Sequence, residues 1–273
     1  MAYKHLLVHL DSSRRAPDRL GLALTLAKRF GARCTGLFAE LASFGPSLVG
    51  RRSPEDLRRA EETARIAFEQ RAAQAGVEAQ WWPLEAGDYA QVVGGVAVCC
   101  RYVDLAVFGQ HDAGDARTPE DLVEQVLLGS GRPLLVVPWA GQFPDAGRRV
   151  AVAWNGTAEA ARAVHDAIPL MRGAESVTVL GFQKPPAGAG RALPSLDITA
   201  HLAAHGIAAR YERTLVEVGE MEFADILLNR AFDLSADLAV MGGHASAGVG
   251  GPHATANTRK VLGSMTMPVL LSR

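Results

Sequence analysis

The feature that most constrains the fold of this chain is an internal duplication. Residues 104–109, DLAVFG, form an apolar run that is followed by a polar loop, a helical pattern and a second apolar run at 133–138, PLLVVP. Residues 237–242, DLAVMG, are followed by a glycine-rich loop, a helical pattern and the apolar run 268–272, PVLLS. Because each copy is a strand–helix–strand unit, the repeat predicts two like halves built on parallel sheets.

Both halves follow the same order of strands and helices. Apolar runs at 5–10 and 150–154 predict first strands, and each precedes apolar residues at helical spacing. Ser53 followed by Pro54 predicts the start of a helix, because serine caps helix N-termini and proline suits the first turn. The alternation predicts an α/β fold of two tandem, doubly wound domains, each with a five-stranded parallel sheet.

The stretch 140–147, AGQFPDAG, is rich in residues that form turns and separates the two halves. It predicts one domain at residues 1–141 and a second at 148–273. The last apolar runs, 133–138 and 268–272, would be exposed edge strands if each half stood alone. We therefore expect these edges to be covered.

The composition argues against several classes of function. The 273 residues carry a formal net charge of −1, which disfavours an electrostatic grip on nucleic acid or on an anionic membrane. The longest apolar window, 92–108, contains Arg101 and Asp104 and is too short to span a bilayer. No signal peptide opens the sequence, so we expect a cytoplasmic protein. The cysteines lack CxxC spacing and are expected to be reduced thiols: Cys34, Cys99 and Cys100.

The turns after the first strands lack the motifs of common catalytic or cofactor sites. Residues 11–15, DSSRR, and 155–159, NGTAE, stand where a dinucleotide site has G-x-G-x-x-G, and no P-loop motif occurs. Ser246 lies in HASAG, which resembles a nucleophile elbow without its first glycine. His244 and His253 supply only half of a metal site. We expect no catalytic residue of these types, and no metal other than nucleotide-bound Mg²⁺.

Taken together, these patterns resemble a tandem universal stress protein. The matching segments are YVDLAVFGQ and SADLAVMGG at the fourth strands, GRPLLVVP and TMPVLLSR at the fifth strands, and AWNGTAEAARAVHDAIPLM at the start of the second half. The resemblance covers essentially the whole chain. It implies two βαβαβ halves whose fifth strands meet antiparallel. It also implies a nucleotide site in members that carry an Asp after strand one and G-x2-G-x9-G-[ST] after strand four.

In the second half the match to that nucleotide motif is partial. Asn155 replaces the Asp, Ala245 replaces the second glycine, and Thr255 replaces the third. Each lost glycine brings a Cβ towards the phosphates, although neighbouring glycines could rebuild a cradle of another shape. The resemblance therefore implies an altered adenine-nucleotide site with these candidate residues: Asn155, Met241, Gly242, Ala245, Gly248, Gly250, Thr255, Asn257 and Thr258.

The first half departs further from the motif. Asp11 and Gly109 match it, and both are candidate ligand residues. The phosphate positions fall on or beside Glu120 and Asp121, which would repel a triphosphate. Two carboxylates suit a helix N-terminus instead, so we expect a helix capped by Thr118 and no tight ATP binding in this half.

The sequence thus predicts a regulatory or interaction protein of the universal stress protein type, with weak binding of ATP or another adenine nucleotide in the second half. The expected partners are that nucleotide and an unidentified protein, with neither nucleic acid nor membrane, and the chain could form a homodimer. Two alternatives stay open. One is a slow ATPase that depends on Asp11, His244 or His253. The other is a purely structural pair of domains whose crevices are filled by their own side chains.

Overall fold

The computed structural model of the chain describes residues 2–42, 53–84, 87–182, 196–213, 223–248 and 251–273. The elements of the first half are β1 His5–Leu10, α1 Ala16–Phe30, β2 Arg33–Phe38, α2 Pro54–Ala75, β3 Ala79–Pro83, α3 Tyr89–Cys100, β4 Leu105–Gly109, α4 Leu122–Ser130 and β5 Leu134–Val137. Those of the second half are β6 Arg149–Trp154, α5 Ala158–Met171, β7 Ser176–Gly181, α6 Ile198–Ala204, β8 Ala209–Arg213, α7 Phe223–Asp233, β9 Leu238–Gly242, β10 Ala245–Gly248, β11 Gly251–Ala254, α8 Ala256–Ser264 and β12 Val269–Ser272. None of these described helices is long and apolar enough to cross a bilayer.

Ten of these strands form one sheet in the order β3-β2-β1-β4-β5-β12-β9-β6-β7-β8. Neighbouring strands within each half are parallel, whereas β5 and β12 pair antiparallel, with Leu135 opposite Leu270. The sheet is therefore two five-stranded parallel sheets joined through their fifth strands, and this prediction is confirmed. Because parallel strands end at the same edge, the carboxyl ends of β1 and β4 lie together in one half and those of β6 and β9 in the other.

The hydrophobic core lies on both faces of the sheet. Successive residues of β1, such as Leu6 and Leu7, belong to different core clusters, as expected when side chains alternate along a strand. One cluster includes side chains of α1, α2, α5 and α6, and the other includes side chains of α3, α4, α7 and α8. Trp81 packs against Phe68 in the first cluster, while Trp82 packs edge-on against His5. The arrangement is a helix–sheet–helix sandwich.

Several helix ends follow capping signals in the sequence. Ser53 accepts a hydrogen bond from the backbone N–H of Asp56 at the start of α2. Asp88 forms a capping box with Gln91 at the start of α3. Helix α2 ends at Gly76, whose φ of 68° lies in the left-handed region that favours glycine.

The predicted start of α4 is wrong. The helix begins at Leu122 and not at Thr118, and the side chain of Asp121 makes no capping hydrogen bond. That carboxylate instead accepts a hydrogen bond from the hydroxyl of Tyr89 on α3, at 2.8 Å. The backbone N–H of Leu122 donates to the carbonyl of Pro119, so a turn precedes the helix.

The described part of the glycine-rich stretch after β9 is not an irregular loop. It contains the hairpin β10–β11, in which Ala245 lies opposite Ala254. Strand β11 contacts α4 of the first half, and a Cβ on Gly243 would collide with Leu127 of that helix. The stretch therefore packs against the other half of the molecule. Gly250, one of the predicted ligand residues, lies outside the described residues.

Candidate functional site

The carboxyl ends of β6 and β9 border a cavity of about 220 Å³, which we call the second mouth. It is lined by Ala153, Asn155, Ala160, Phe223, Met241, Gly242, His244, Thr255, Asn257 and Thr258. The structure thus brings together these residues predicted from the sequence: Asn155, Met241, Gly242, Thr255, Asn257 and Thr258. Two further predicted residues, Ala245 and Gly248, lie in β10.

The second mouth combines apolar walls with neutral hydrogen-bonding groups. Phe223 packs edge-on against Phe182, with ring centroids 4.7 Å apart, and Met241 is buried. Helix α8 begins at this cavity, where Thr255 caps it by accepting a hydrogen bond from the backbone N–H of Thr258. The N–H groups in the first turn of a helix attract negative charge. The mouth can therefore receive a ligand that has both a flat apolar part and an acceptor group.

His244 ties the end of β9 to the start of α5. Its Nδ1 lies 3.2 Å from the carbonyl oxygen of Gly242. Its Nε2 lies 3.2 Å from Oγ1 of Thr157 and 3.6 Å from a carboxylate oxygen of Glu159. Thr157 donates its hydroxyl proton to Oδ1 of Asn155, so both ring nitrogens of His244 face oxygen atoms that can accept a hydrogen bond. These contacts hold one rim of the second mouth in place.

Gly242 has a packing role that is separate from any ligand. A Cβ at this position would lie 2.6 Å from the backbone nitrogen of Ala160 and 2.6 Å from the backbone carbon of Glu159. The strand end therefore approaches the first turn of α5 too closely for a side chain. The sequence motif predicted a glycine here for a phosphate, but the backbone of α5 already requires one.

The carboxyl ends of β1 and β4 border a larger cavity of about 610 Å³, which we call the first mouth. Asp11 and Gly109, the candidates from the sequence, both line it, and Glu120 does so as well. Its lining also includes arginines that sequence reasoning missed: Arg14, Arg15, Arg19 and Arg117. Arg19 could have been noticed, because it interrupts the apolar stripe of α1 beside Leu20.

Arg19 and Asp11 form a buried ion pair in the first mouth. Arg19 is 4% exposed, and it donates from Nε to the carbonyl of His9 and from Nη2 to Oδ2 of Asp11, at 2.6 and 2.9 Å. Oδ1 of Asp11 accepts the backbone N–H of Ser13 at 3.0 Å. Burial acts to raise the pKa of Asp11, but Arg19, His9 and Ser13 more than offset it and hold this pKa well below its usual range. Both oxygens of the carboxylate are thus used within the protein.

The second half has neutral residues in place of this ion pair. Strand β1 pairs with β4 in the same parallel manner as β6 pairs with β9. Asn155 follows β6 directly, as Asp11 follows β1, and the same alignment places Ala163 at the position of Arg19. The change from Asp to Asn is therefore accompanied by loss of the arginine that the carboxylate would need.

Several solved structures share this architecture. A universal stress protein from Archaeoglobus fulgidus DSM 4304 aligns over 98% of this chain and 96% of its own, with a TM-score of 0.71 and 17% identity. The chain has the universal stress protein fold. A functionally unknown protein from Pseudomonas aeruginosa PAO1 aligns over 99% of this chain and 92% of its own, with a TM-score of 0.61 and 16% identity. No family model matches the chain, and no curated protein matches it in sequence.

On this universal stress protein fold the two mouths occupy corresponding strand ends but differ in chemistry. The first is large and rich in charged side chains, whereas the second is smaller and mainly neutral. Within the part of the chain that the structure describes, no group of three or more His, Cys, Asp or Glu side chains could hold a metal ion. The fold predicted from the resemblance is confirmed, while ligand contacts by the candidate residues stay a prediction.

Proposed function

We propose that the protein is a regulatory module of the universal stress protein type that binds an adenine nucleotide weakly in the second mouth. The observation that carries this proposal is the cavity at the ends of β6 and β9, whose described lining holds no Asp, Glu, Lys or Arg and adjoins the N-terminus of α8. The apolar walls suit an adenine ring, and the helix N-terminus suits a phosphate.

The size of the second mouth supports weak binding. Its 220 Å³ is smaller than the roughly 300–1,000 Å³ of sites that bury a drug-sized ligand. We expect the base and ribose to enter the cavity and the phosphates to extend past Thr255 towards solvent. A ligand that is only partly enclosed gains less from burial, so we expect a dissociation constant of about 0.1–1 mM.

The first mouth gives no comparable support for a nucleotide. The carboxylate of Asp11 is paired with Arg19, and Glu120 lines the cavity, where it would repel phosphates. The geometry also favours binding over hydrolysis. Two of the groups on which a slow ATPase would depend, Asp11 and His244, are bonded within the protein.

Isothermal titration calorimetry of the full chain with AMP, ADP and ATP tests the proposal. We expect one nucleotide per chain. Asn257→Ala should weaken binding by about threefold or more, because it removes a polar side chain from the lining. Asn229→Ala is the matched control, since Asn229 is an exposed asparagine on α7 outside the cavity lining. Ala153→Leu fills the cavity and should abolish binding.

Two results would contradict this proposal. One is the absence of heat from any of the three nucleotides at millimolar concentration. The other is binding that Ala153→Leu leaves intact, which would place the nucleotide elsewhere on the chain. Phosphate release above the buffer rate that persists in Asp11→Asn and is lost in His244→Gln would favour the ATPase instead.

A further inference from the structure

The first mouth holds polar atoms that no protein group satisfies. Among the described residues, the buried side-chain nitrogens without a hydrogen-bond partner are Nε of Arg15 and Nδ1 of His111. Both residues line the first mouth. Buried polar atoms are nearly always hydrogen-bonded in folded proteins, so an unpaired one points to a missing partner. Both atoms belong to residues that line the same cavity, which points to a binding site there.

Arg19 presents a third donor to the same cavity. Its side chain is 5% exposed, and Nε and Nη2 are bonded to His9 and Asp11. Nη1 makes no hydrogen bond within the described residues and lies beside Gly109, where a Cβ would collide with it. A buried guanidinium is therefore fixed on one side and offers its remaining N–H groups to the cavity.

The guanidinium of Arg15 is fixed in a similar way. Its Nη1 pairs with Asp18 at 2.8 Å, and its Nη2 donates to the carbonyl of Gly141. The unpaired Nε–H of Arg15 and the free N–H groups of Arg19 can only donate, so they require a ligand with hydrogen-bond acceptors. Arginine donors held in this way suit a carboxylate or a phosphate oxygen.

The charge and volume of the cavity limit the ligand further. Its lining includes four arginines and five carboxylates, the latter from Asp11, Asp18, Asp112, Asp115 and Glu120. Because the positive and negative charges of the lining nearly balance, the cavity tolerates one anionic group but disfavours the several charges of a polyphosphate. A volume of about 610 Å³ lies within the roughly 300–1,000 Å³ of sites for small organic ligands.

We propose that the first mouth binds a small organic molecule with a single carboxylate or phosphate group, received by Nε of Arg15, Nη1 of Arg19 and the ring of His111. This site is separate from the second mouth and does not depend on nucleotide binding there. His111 follows Gly109 as His244 follows Gly242, but the contacts of His244 are made within the protein. His244 in the second mouth can therefore serve as an internal reference for His111.

Nuclear magnetic resonance of the ¹⁵N-labelled full chain tests this inference. The arginine Nε–H and histidine ring signals are followed during titration with acetate, inorganic phosphate or ATP, at constant ionic strength set with sodium chloride. We expect the signals of Arg15, Arg19 and His111 to shift together and to saturate with acetate or phosphate, while those of His244 stay unchanged with acetate. The probe that saturates at the lower concentration identifies the anionic group. ATP should bind at these three residues more weakly than phosphate.

Variants show whether binding depends on these particular hydrogen-bond donors or only on the positive charge of the cavity. Arg15→Lys combined with His111→Leu keeps the positive charge but removes both unpaired nitrogens, and we expect at least about a tenfold loss of affinity. Arg210→Lys is the matched control, because Arg210 on β8 is exposed and lies outside the lining of the first mouth, and it should change nothing. Backbone spectra check that each variant is folded, and His111→Gln alone serves as a milder second variant.

Three results would overturn the inference. The first is a linear, non-saturating shift with both acetate and phosphate. The second is unchanged affinity in the Arg15→Lys/His111→Leu and His111→Gln variants. The third is tighter binding of ATP than of phosphate at Arg15 and Arg19. Each leaves the nucleotide titration of the second mouth unaffected, so the two proposals can fail separately.

Discussion

Nη2 of Arg19 lies 2.9 Å from Oδ2 of Asp11 in the first half, and the corresponding positions of the second half are Ala163 and Asn155. The two halves therefore differ by a matched pair of substitutions. Removing one partner of a buried ion pair leaves an uncompensated charge, whereas replacing both partners is often tolerated. The neutral pair of the second half is consistent with this physical constraint.

This relationship predicts how the first mouth responds to mutation. Arg19→Ala should lower the free energy of unfolding by about 3–5 kcal/mol, because the carboxylate of Asp11 stays buried without a partner. The double variant Asp11→Asn/Arg19→Ala should recover most of that loss. Urea unfolding measures both. Arg59→Ala, which removes an exposed ion pair with Glu55, is the control and should change stability by less than about 1 kcal/mol. A double variant as unstable as Arg19→Ala would contradict the explanation.

A second prediction concerns the stability of the protein in mild acid. Burial and, next, the charge of Arg19 lower the pKa of His9 to about 4. The unfolded chain binds this proton at the ordinary pKa of about 6.5, so the unfolded state holds more protons between these values. The free energy of unfolding should therefore decrease as the pH falls from about 6.5 to 4, by up to roughly 3 kcal/mol from this group.

The measurement is urea unfolding at several pH values, applied to the unmodified chain and to two His→Gln variants. His9→Gln keeps a donor for the carbonyl of Ala39, which His9 contacts at 3.0 Å, and should flatten the pH dependence. His165→Gln changes a side chain that is 65% exposed and should leave the slope as in the unmodified chain. An identical slope in His9→Gln would rule out His9 as its source.

A third prediction follows from the contact between β9 and α5. Gly242→Ala should destabilise the protein by about 1–3 kcal/mol, because the new Cβ overlaps the backbone of Ala160 and Glu159. It should also weaken nucleotide binding, since α5 borders the second mouth. Gly263→Ala on α8 is the matched control: beyond the adjoining backbone of α8, no atom lies within 4 Å of the added Cβ, and the exchange should stabilise the helix by about 0.5–1 kcal/mol. Thermal unfolding of both variants shows whether Gly242→Ala lowers the stability of the protein while Gly263→Ala raises it.

A fourth prediction concerns the contact between the halves at the end of α8. Nε2 of Gln110 donates to the carbonyls of Leu262 and Gly263, and its Oε1 accepts the N–H of Trp139. Gln110→Leu leaves these groups unpaired and should lower stability by about 1–3 kcal/mol. Loss of these hydrogen bonds should loosen α8, so its amide hydrogens should exchange faster. Nucleotide binding in the second mouth should weaken for the same reason. Gln125→Leu, at a partly exposed site, is the control; equal effects of the two variants would refute the role of Gln110.

The sequence predicted best those features that depend on neighbouring residues. Ser53 caps α2 through the backbone N–H group three residues away, so its role can be inferred locally. The start of α4 could not be inferred in this way, because Tyr89 on another helix binds the carboxylate of Asp121. The same is true of the hairpin after β9, which packs on a helix from the other half.

In the candidate site, too, some features could be inferred from neighbouring residues and others could not. The strand ends of the second half could be placed from apolar runs. The ion pair of Arg19 could not, since the sequence gives no direct indication that a charged residue on α1 reaches the carboxylate after β1. The unpaired nitrogens of Arg15 and His111 depend on the full set of their neighbours. Such features follow from packing and not from any local motif.

The antiparallel pairing of β5 with β12 occurs within a single polypeptide. A dimer of identical subunits places the same residues on both sides of its symmetry axis, so any substitution appears twice. Fusion of the halves removes this restriction and makes their association independent of protein concentration. A molecule of this kind can therefore keep a cavity rich in charged side chains at one end of a shared sheet and a mainly neutral cavity at the other.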